Sequence, residues 1–555
     1  MHFDTLKRLA LGVTMATALV GTASAQHVFD GNILFGNTGG TCIVGGSATF
    51  DACGLIAHFP NNDTVDPQLV APLNIVNPNW QPLASSPASS VNDAVVSPAI
   101  APDACGNCPS CVDLIKPTCY RGAIPPVGMG DDWTQGWTDY TFNGAGRVIP
   151  VRPVVILQGD QFTPLNLVNT NHYLLRGRVD IESGASITIE AGTYVFGENA
   201  TVGTLVIERG AQIFANGTVD DPIIFTPDTA PGSYAPGQWG GVVINGRGIA
   251  NCADCINGGS CVSEGTAVAF CGNNDCDNSG SLEYARVEFA GRIAGLDNEL
   301  NAWTFNGVGC NTRVNHLQAH RGLDDLFEWF GGNVNCSYLV GTHGQDDGLD
   351  WQMGYRGQVQ FAVIQQLGDA SDKAIEADNN EFNFDAPCRS LPTFANLTLV
   401  GSNTGSEANG IHLRRGTDAR IYNSIVMNWR DRGLRVQHNE TSARGFGPTP
   451  AVFCGGGTTN VDPEVASVEG LLIRTFPNPA VNEARFFFSL PASGRAELTV
   501  FDAAGRMVER VLDGELAAGE HTAVWNVPTD RAAGAYFYRL QTADKSASGR
   551  LVTTR

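Results

Sequence analysis

The sequence predicts an all-β chain: a parallel β-helix followed by a small C-terminal β-sandwich. Three observations lead there. Charged residues are only 16% of the 555, against about a quarter in an ordinary soluble chain, while the 65 glycines are about 12% where roughly 7% is usual. Short β-branched runs alternate apolar with polar residues, as in Val179-Asp180-Ile181-Glu182, Ser186-Ile187-Thr188-Ile189-Glu190 and Leu205-Val206-Ile207-Glu208. Similar triplets also recur every 20 to 35 residues, a spacing too short for the four strands of a propeller blade.

Taken from the front, the first element is an address. Lys7 and Arg8 precede an apolar run from Leu9 to Val20 and then Ala23-Ser24-Ala25, the order of a secretory signal peptide over residues 1–25. The run is too short to span a bilayer, and no later stretch reaches the length a membrane helix needs, so no membrane-spanning segment is expected. The mature protein is expected to be secreted or attached to the outer surface after export through the periplasm. A net charge of −22, from 34 basic and 56 acidic residues, argues against nucleic acid and against anionic membrane surfaces.

Residues 26–150 form a Cys-containing N-terminal region, within which 60–104 reads as an extended linker or covering segment rich in Pro, Ser and Asn. An exported chain meets oxidising conditions, so the cysteines are read first as disulfides. The candidates are Cys42 and Cys53; Cys105, Cys108, Cys111 and Cys119; Cys252, Cys255, Cys261, Cys271 and Cys276; and Cys310 with Cys336. Zinc is the alternative for the group at 105–119, although no His lies nearby. Fifteen is an odd number, so at least one thiol is left over within a single chain.

The β-helix is expected over 151–460, interrupted by a Cys-rich insert near 251–277. Six triplets align as one strand per coil: Leu282-Glu283-Tyr284, Val314-Asn315-His316, Val334-Asn335-Cys336, Val359-Gln360-Phe361, Phe394-Ala395-Asn396 and Ile421-Tyr422-Asn423. A second shared strand follows in five coils: Phe327-Glu328-Trp329, Leu349-Asp350-Trp351, Ile375-Glu376-Ala377, Ile411-His412-Leu413 and Leu434-Arg435-Val436. Alternation sends the two outer residues of each triplet into the core and the middle one outward, toward solvent.

Gly237-Gln238-Trp239-Gly240-Gly241-Val242-Val243-Ile244-Asn245-Gly246, Asp324-Asp325-Leu326-Phe327-Glu328-Trp329-Phe330-Gly331-Gly332 and Asp346-Asp347-Gly348-Leu349-Asp350-Trp351 resemble stretches of secreted bacterial right-handed parallel β-helix proteins of largely unknown activity. The resemblance covers roughly 170–440 and implies the fold; it implies no particular reaction. Over 470–555, Phe476-Pro477-Asn478-Pro479, Asp502-Ala503-Ala504-Gly505-Arg506 and Gly534-Ala535-Tyr536-Phe537-Tyr538-Arg539-Leu540 resemble the C-terminal sorting domain of type IX secretion cargo. That second resemblance implies an Ig-like β-sandwich and the type IX secretion machinery as a partner.

Chemistry is expected on the acidic face. Coils about 4.8 Å apart would stack Glu328, Asp350, Glu376, His412 and Arg435 in a column, with Asp324, Asp325, Asp346 and Asp347 in the adjoining turns. Such carboxylates suit three readings: turn chemistry that satisfies the backbone, a Ca²⁺ site, or paired carboxylates for glycoside cleavage. A weaker metal candidate is Asp275, Asp277 and Ser279, the first half of a calcium loop whose twelfth position holds Arg286 in place of Glu. Ca²⁺ is the one cofactor these carboxylates suggest. The leading expectation is a non-catalytic binding, adhesion or cell-coat component that engages glycans or surface proteins. The alternative is a polysaccharide lyase or glycosidase working on the acidic face.

Overall fold

A computed structural model describes residues 27–37, 52–58, 61–89, 114–116, 120–295, 298–366, 371–403 and 409–444 of a first compact unit. In a second unit it describes 118 and 466–553, apart from 469–470, 477–479, 481–482, 491, 503–505, 528–533 and 544. Residues 1–25, and with them the expected signal peptide, lie outside the described residues, as do Cys42, Cys105, Cys108, Cys111 and Cys119.

In the first unit each coil lays one strand on each of three parallel sheets. One sheet runs through 159–161, 179–181, Thr204–Ile207, Gly241–Asn245, Trp303–Asn306, Phe327–Phe330, Leu349–Gln352, Lys373–Ala377, Asn409–Leu413 and Arg432–Val436. The second begins at Leu165–Leu167 and passes through Gln212–Asn216 to Arg420–Tyr422. The third begins at 154–157 and passes through 285–288 to Ile425–Met427. Parallel pairing on every face is the geometry of a solenoid whose single coils could not bury a core alone. Inward residues such as Phe327, Trp329, Leu349, Trp351, Ile375 and Ile411 are fully buried, each stabilising the stack by ~1.5–3 kcal/mol.

The corner between the second and third sheets is turned by one residue with positive φ in six successive coils: Tyr284, His316, Tyr338, Phe361, Asn396 and Asn423. This conformation is unfavourable for bulky L-residues. Stacking offsets it, because the Tyr284 and His316 rings lie 4.2 Å apart, His316 and Tyr338 4.4 Å, and Tyr338 and Phe361 4.9 Å. In the last two coils Asn, which tolerates this conformation, takes the corner.

This corner corrects one expected register. Val314 and Val359 both pair with Cys336, so the third triplet is Cys336-Ser337-Tyr338 and not Val334-Asn335-Cys336. A slip of two residues preserves the inside–outside alternation, which is why composition alone did not reveal it. Cys336 therefore points into the core and is a free, buried thiol, which overturns its assignment as a disulfide partner. Cys252–Cys261 and Cys255–Cys271 are bonded within the insert. Cys53, Cys276, Cys310 and Cys388 are also disulfide-bonded.

Residues near the start of the chain complete the solenoid at its far end. Val28–Asp30 pairs with Arg420–Tyr422, and Ile33–Phe35 with Ile425–Met427. Trp80, Ala88, Ala123, Ile124 and Trp137 then pack on the outer faces of Val340, Val363, Val400 and Ile425. The described part of 60–104 is thus a covering segment. The Trp137 ring meets Tyr284 and His316 edge-on at 5.7 Å, closing the stacked corner.

The second unit holds two four-stranded antiparallel sheets, built from Ala466–Val468, Leu471–Phe476, Glu483–Leu490 and Gly519–Asn526, and from Gly494–Asp502, Met507–Leu516, Gly534–Gln541 and Ser546–Thr553. Phe486, Phe488, Leu498, Val500, Trp525, Tyr538 and Leu551 form their shared core. Among the described residues no helix is long and apolar enough to cross a membrane.

Candidate functional site

The predicted column is in register. Glu328 pairs with Asp350, Asp350 with Glu376, Glu376 with His412, and His412 with Arg435. Its exposure, however, differs from expectation. Glu328, Asp350 and Glu376 leave the core as alternation requires, yet all three are buried. A turn before the column and the next coil's strand bring in neighbours that alternation along a single strand does not reveal. Asn301 Nδ2 donates to Glu328 Oε2, and Gln352 Nε2 donates to Glu328 Oε1 at 3.2 Å.

Farther along the same sheet, Val268 of the Cys-rich insert packs on Val206 and Val243. Glu264, from the same insert, lies near enough to raise the charge penalty on Glu328.

Eight carboxylates form four overlapping groups: Asp324, Asp325 and Asp346; Asp325, Glu328 and Asp350; Asp346, Asp347 and Asp372; and Asp347, Asp350 and Glu376. Within each group one oxygen per residue lies within 4.8 Å of the others. Two oxygens bound to one Ca²⁺ at about 2.4 Å can be no farther apart than that, so the spacing fits a shared ion. Asp347 N donates to Asp325 Oδ1 at 2.9 Å, tying one coil's turn to the next. Asp347 Oδ1 and Asp350 Oδ1 are buried and have no hydrogen-bond partner, an arrangement that is costly for a polar atom without a ligand.

Positive charge is present but already engaged. Lys373 Nζ lies 2.7 Å from Glu376 Oε1 and 3.5 Å from Asp347 Oδ2, and also contacts Asp372. Arg414 contacts Glu376 and places Nε 2.8 Å from Asp378 Oδ1, while Arg415 Nη1 lies 2.8 Å from Asp378 Oδ2. Although burial opposes its charge, these carboxylates hold Lys373 above its ordinary range. Burial, with mutual repulsion, pushes Asp325, Glu328 and Asp350 well above the usual carboxylate range. Burial also raises Asp347 far above that range, in spite of Lys373. Burial raises Asp324 to about 8, with Asp346 the next cause, and raises Asp346 to about 6. Burial first, and then Arg435, lowers His412 to about 3, so it is neutral at physiological pH. Its Nε2 lies 2.7 Å from Gln437 Oε1.

Asp372 and Lys373 were not among the expected site residues. Their signal was present, because Asp324-Asp325-Leu326-Phe327-Glu328, Asp346-Asp347-Gly348-Leu349-Asp350 and Asp372-Lys373-Ala374-Ile375-Glu376 are three copies of one pattern, with Lys in place of the second Asp in the third. The weaker candidates lie apart from this cluster in their bonding. Asp275 is paired with Arg356 at 3.2 Å and accepts from Ile249 N, while Asp277 Oδ2 accepts from Ser279 Oγ at 3.2 Å.

No curated protein and no solved structure matches the chain. The family model described as a pectate-lyase like beta helix domain matches residues 159–466, more than half of the chain. The match spans the coils that carry the carboxylates, and its architecture is the right-handed parallel β-helix seen in the three sheets. The chain belongs to the pectate-lyase-like β-helix family.

Proposed function

We propose that the protein is an exported, non-catalytic β-helix that binds a divalent cation, Ca²⁺ by preference, in its carboxylate column and serves as a surface binding, adhesion or cell-coat component. One observation carries the cation reading: Asp347 Oδ1 and Asp350 Oδ1 are buried without partners inside a cluster of oxygen donors. Hard oxygen ligands favour Ca²⁺, and neither Cys nor imidazole belongs to the carboxylate groups. The engagement of Lys373, Arg414 and Arg415 in ion pairs supports the non-catalytic reading, since a lyase needs a base free to take a proton. Calorimetric titration of chelator-treated protein with Ca²⁺ tests it; absence of saturable heat would sink the cation reading.

A second reading, cleavage of a polysaccharide, draws on Asp324 and Asp346. Carboxyls raised to about 8 and about 6 lie beside one another, and one that keeps its proton near neutrality can act as a general acid while its neighbour stays ionised. Reducing-end release from a panel of polysaccharides, lost in Asp324→Asn, would favour this reading over binding alone.

Export belongs to the same proposal. Residues 470–555 would act as an Ig-like sorting module engaging the type IX secretion machinery, supported by the motifs they carry and by a core of their own. Removing residues from Phe476 onward is expected to strand a folded β-helix in the periplasm, and normal secretion of the truncated chain would contradict the assignment.

A further inference from the structure

The acidic face is a grid of successive coils with the same spacing in each. Asp324, Asp325 and Glu328 lie on the first coil, Asp346, Asp347 and Asp350 on the second, and Asp372, Lys373 and Glu376 on the third. Two of the oxygen groups, Asp324 with Asp325 and Asp346, and Asp325 with Glu328 and Asp350, bridge the first and second coils. The other two bridge the second and third. These halves differ in charge. In the second half Lys373 reaches Asp347, Asp372 and Glu376, and Arg414 also contacts Glu376. Among the described residues, no Lys or Arg forms an ion pair with Asp324, Asp325, Glu328, Asp346 or Asp350, the members of the first half. The charges that act most on Asp324, Asp325 and Glu328 are all carboxylates, Glu264 of the insert among them. Asp350, whose Oδ1 is buried without a hydrogen-bond partner, belongs to the inner group of this half.

We propose that Lys373 is a tethered counter-ion that keeps Ca²⁺ out of the second half of the grid and confines it to the first. The proposal rests on the cation reading above and names the residue that regulates it. An ion drawn to Asp347, Asp372 or Glu376 meets an ammonium already seated among their oxygens, and like charges at that separation repel strongly where water is scarce. Between the first two coils no such charge intervenes, so an ion there gains the full attraction of the carboxylates and relieves their mutual repulsion. Asp325 belongs to both groups of this half, which makes it the principal ligand. Asp346 is exposed and Asp324 partly so, which gives the ion a path from solvent, while Asp325 and Glu328 hold it from the buried side.

Calorimetric titration of the chelator-treated full chain with Ca²⁺ tests the proposal in three variants beside the wild type. Asp325→Asn is expected to weaken Ca²⁺ binding by about tenfold or more, because a charged ligand is lost. It should not melt lower in chelator, since it removes a negative charge that nothing offsets. Asp372→Asn, a change in the half that Lys373 fills, should alter the affinity by less than about twofold. Lys373→Met should bind more Ca²⁺ per chain than the wild type, because the second half is then open. Should Lys373→Met fail to fold, the contrast between Asp325→Asn and Asp372→Asn still decides. Equal losses in those two variants, or a folded Lys373→Met that binds no more ions than the wild type, overturn the confinement while leaving cation binding intact. A wild type without saturable heat removes the cation reading and this proposal together.

Discussion

Lys373 Nζ lies 3.5 Å from Asp347 Oδ2, and Lys373 holds in its coil the place that Asp325 and Asp347 hold in the two coils before it. The chain thus supplies one positive charge of its own to a row of acids. Lys373→Met removes that charge while keeping much of the side chain's length. Loss of one partner from a buried ion pair costs about 3–5 kcal/mol. The variant should melt lower than the wild type in chelator and gain more from added Ca²⁺. Equal melting temperatures in both conditions would show that Lys373 does not balance the cluster.

Stability should depend on pH with a defined sign. Burial is the leading cause that raises Asp346 to about 6, Glu264 to about 7 and Asp324 to about 8. An unfolded chain releases the same protons from about pH 4 upward, so between those values the folded state binds more protons than the unfolded state. Without divalent cation, the melting temperature should fall as pH rises from about 4 to about 8. A rise across that window would contradict the assignment of these groups.

Cys336 is a buried thiol among inward-facing apolar side chains, and burial raises it far above the ordinary thiol range. It should resist alkylation in the folded protein and react once denatured. Peptide mapping after labelling with and without denaturant checks this, and labelling of Cys336 in the native protein would contradict it.

Trp137 is fully buried, with its Nε1 donating to Trp133 O at 2.9 Å and its ring edge-on to Tyr284 and His316. Trp137→Ala should cost about 3–5 kcal/mol in denaturant unfolding, in line with other large-to-small core changes. A cost under about 1 kcal/mol would mean that the covering segment contributes little to the stacked corner.

Strand register at the acidic column was readable because two apolar residues around one polar residue repeat in five coils, and parallel stacking carries such a repeat straight into space. Burial of the column was not readable: covering residues come from other turns, such as Asn301 against Glu328, and from the insert that carries Glu264. Nor was the pairing of Val28 with Arg420, where two three-residue strands far apart in sequence meet with no pattern to announce it. At Cys336, local similarity favoured a two-residue slip, and only the aromatic corner residue Tyr338 distinguishes the true register. Lys373 escaped notice because it breaks the acidic repeat at the point where that repeat needs a counter-charge.

Asp350 is the residue through which cation binding by the carboxylate column is tested most sharply. Its Oδ1 is buried without a partner, and it belongs to two of the four carboxylate groups. Thermal melts of the wild type and of Asp350→Asn, from chelator to millimolar Ca²⁺, measure whether the column binds the ion. A rise in wild-type melting temperature with Ca²⁺, greatly reduced in Asp350→Asn while the core residues Leu349 and Trp351 remain packed, is the predicted result. A wild type whose melting temperature does not respond to Ca²⁺ at any concentration would contradict it.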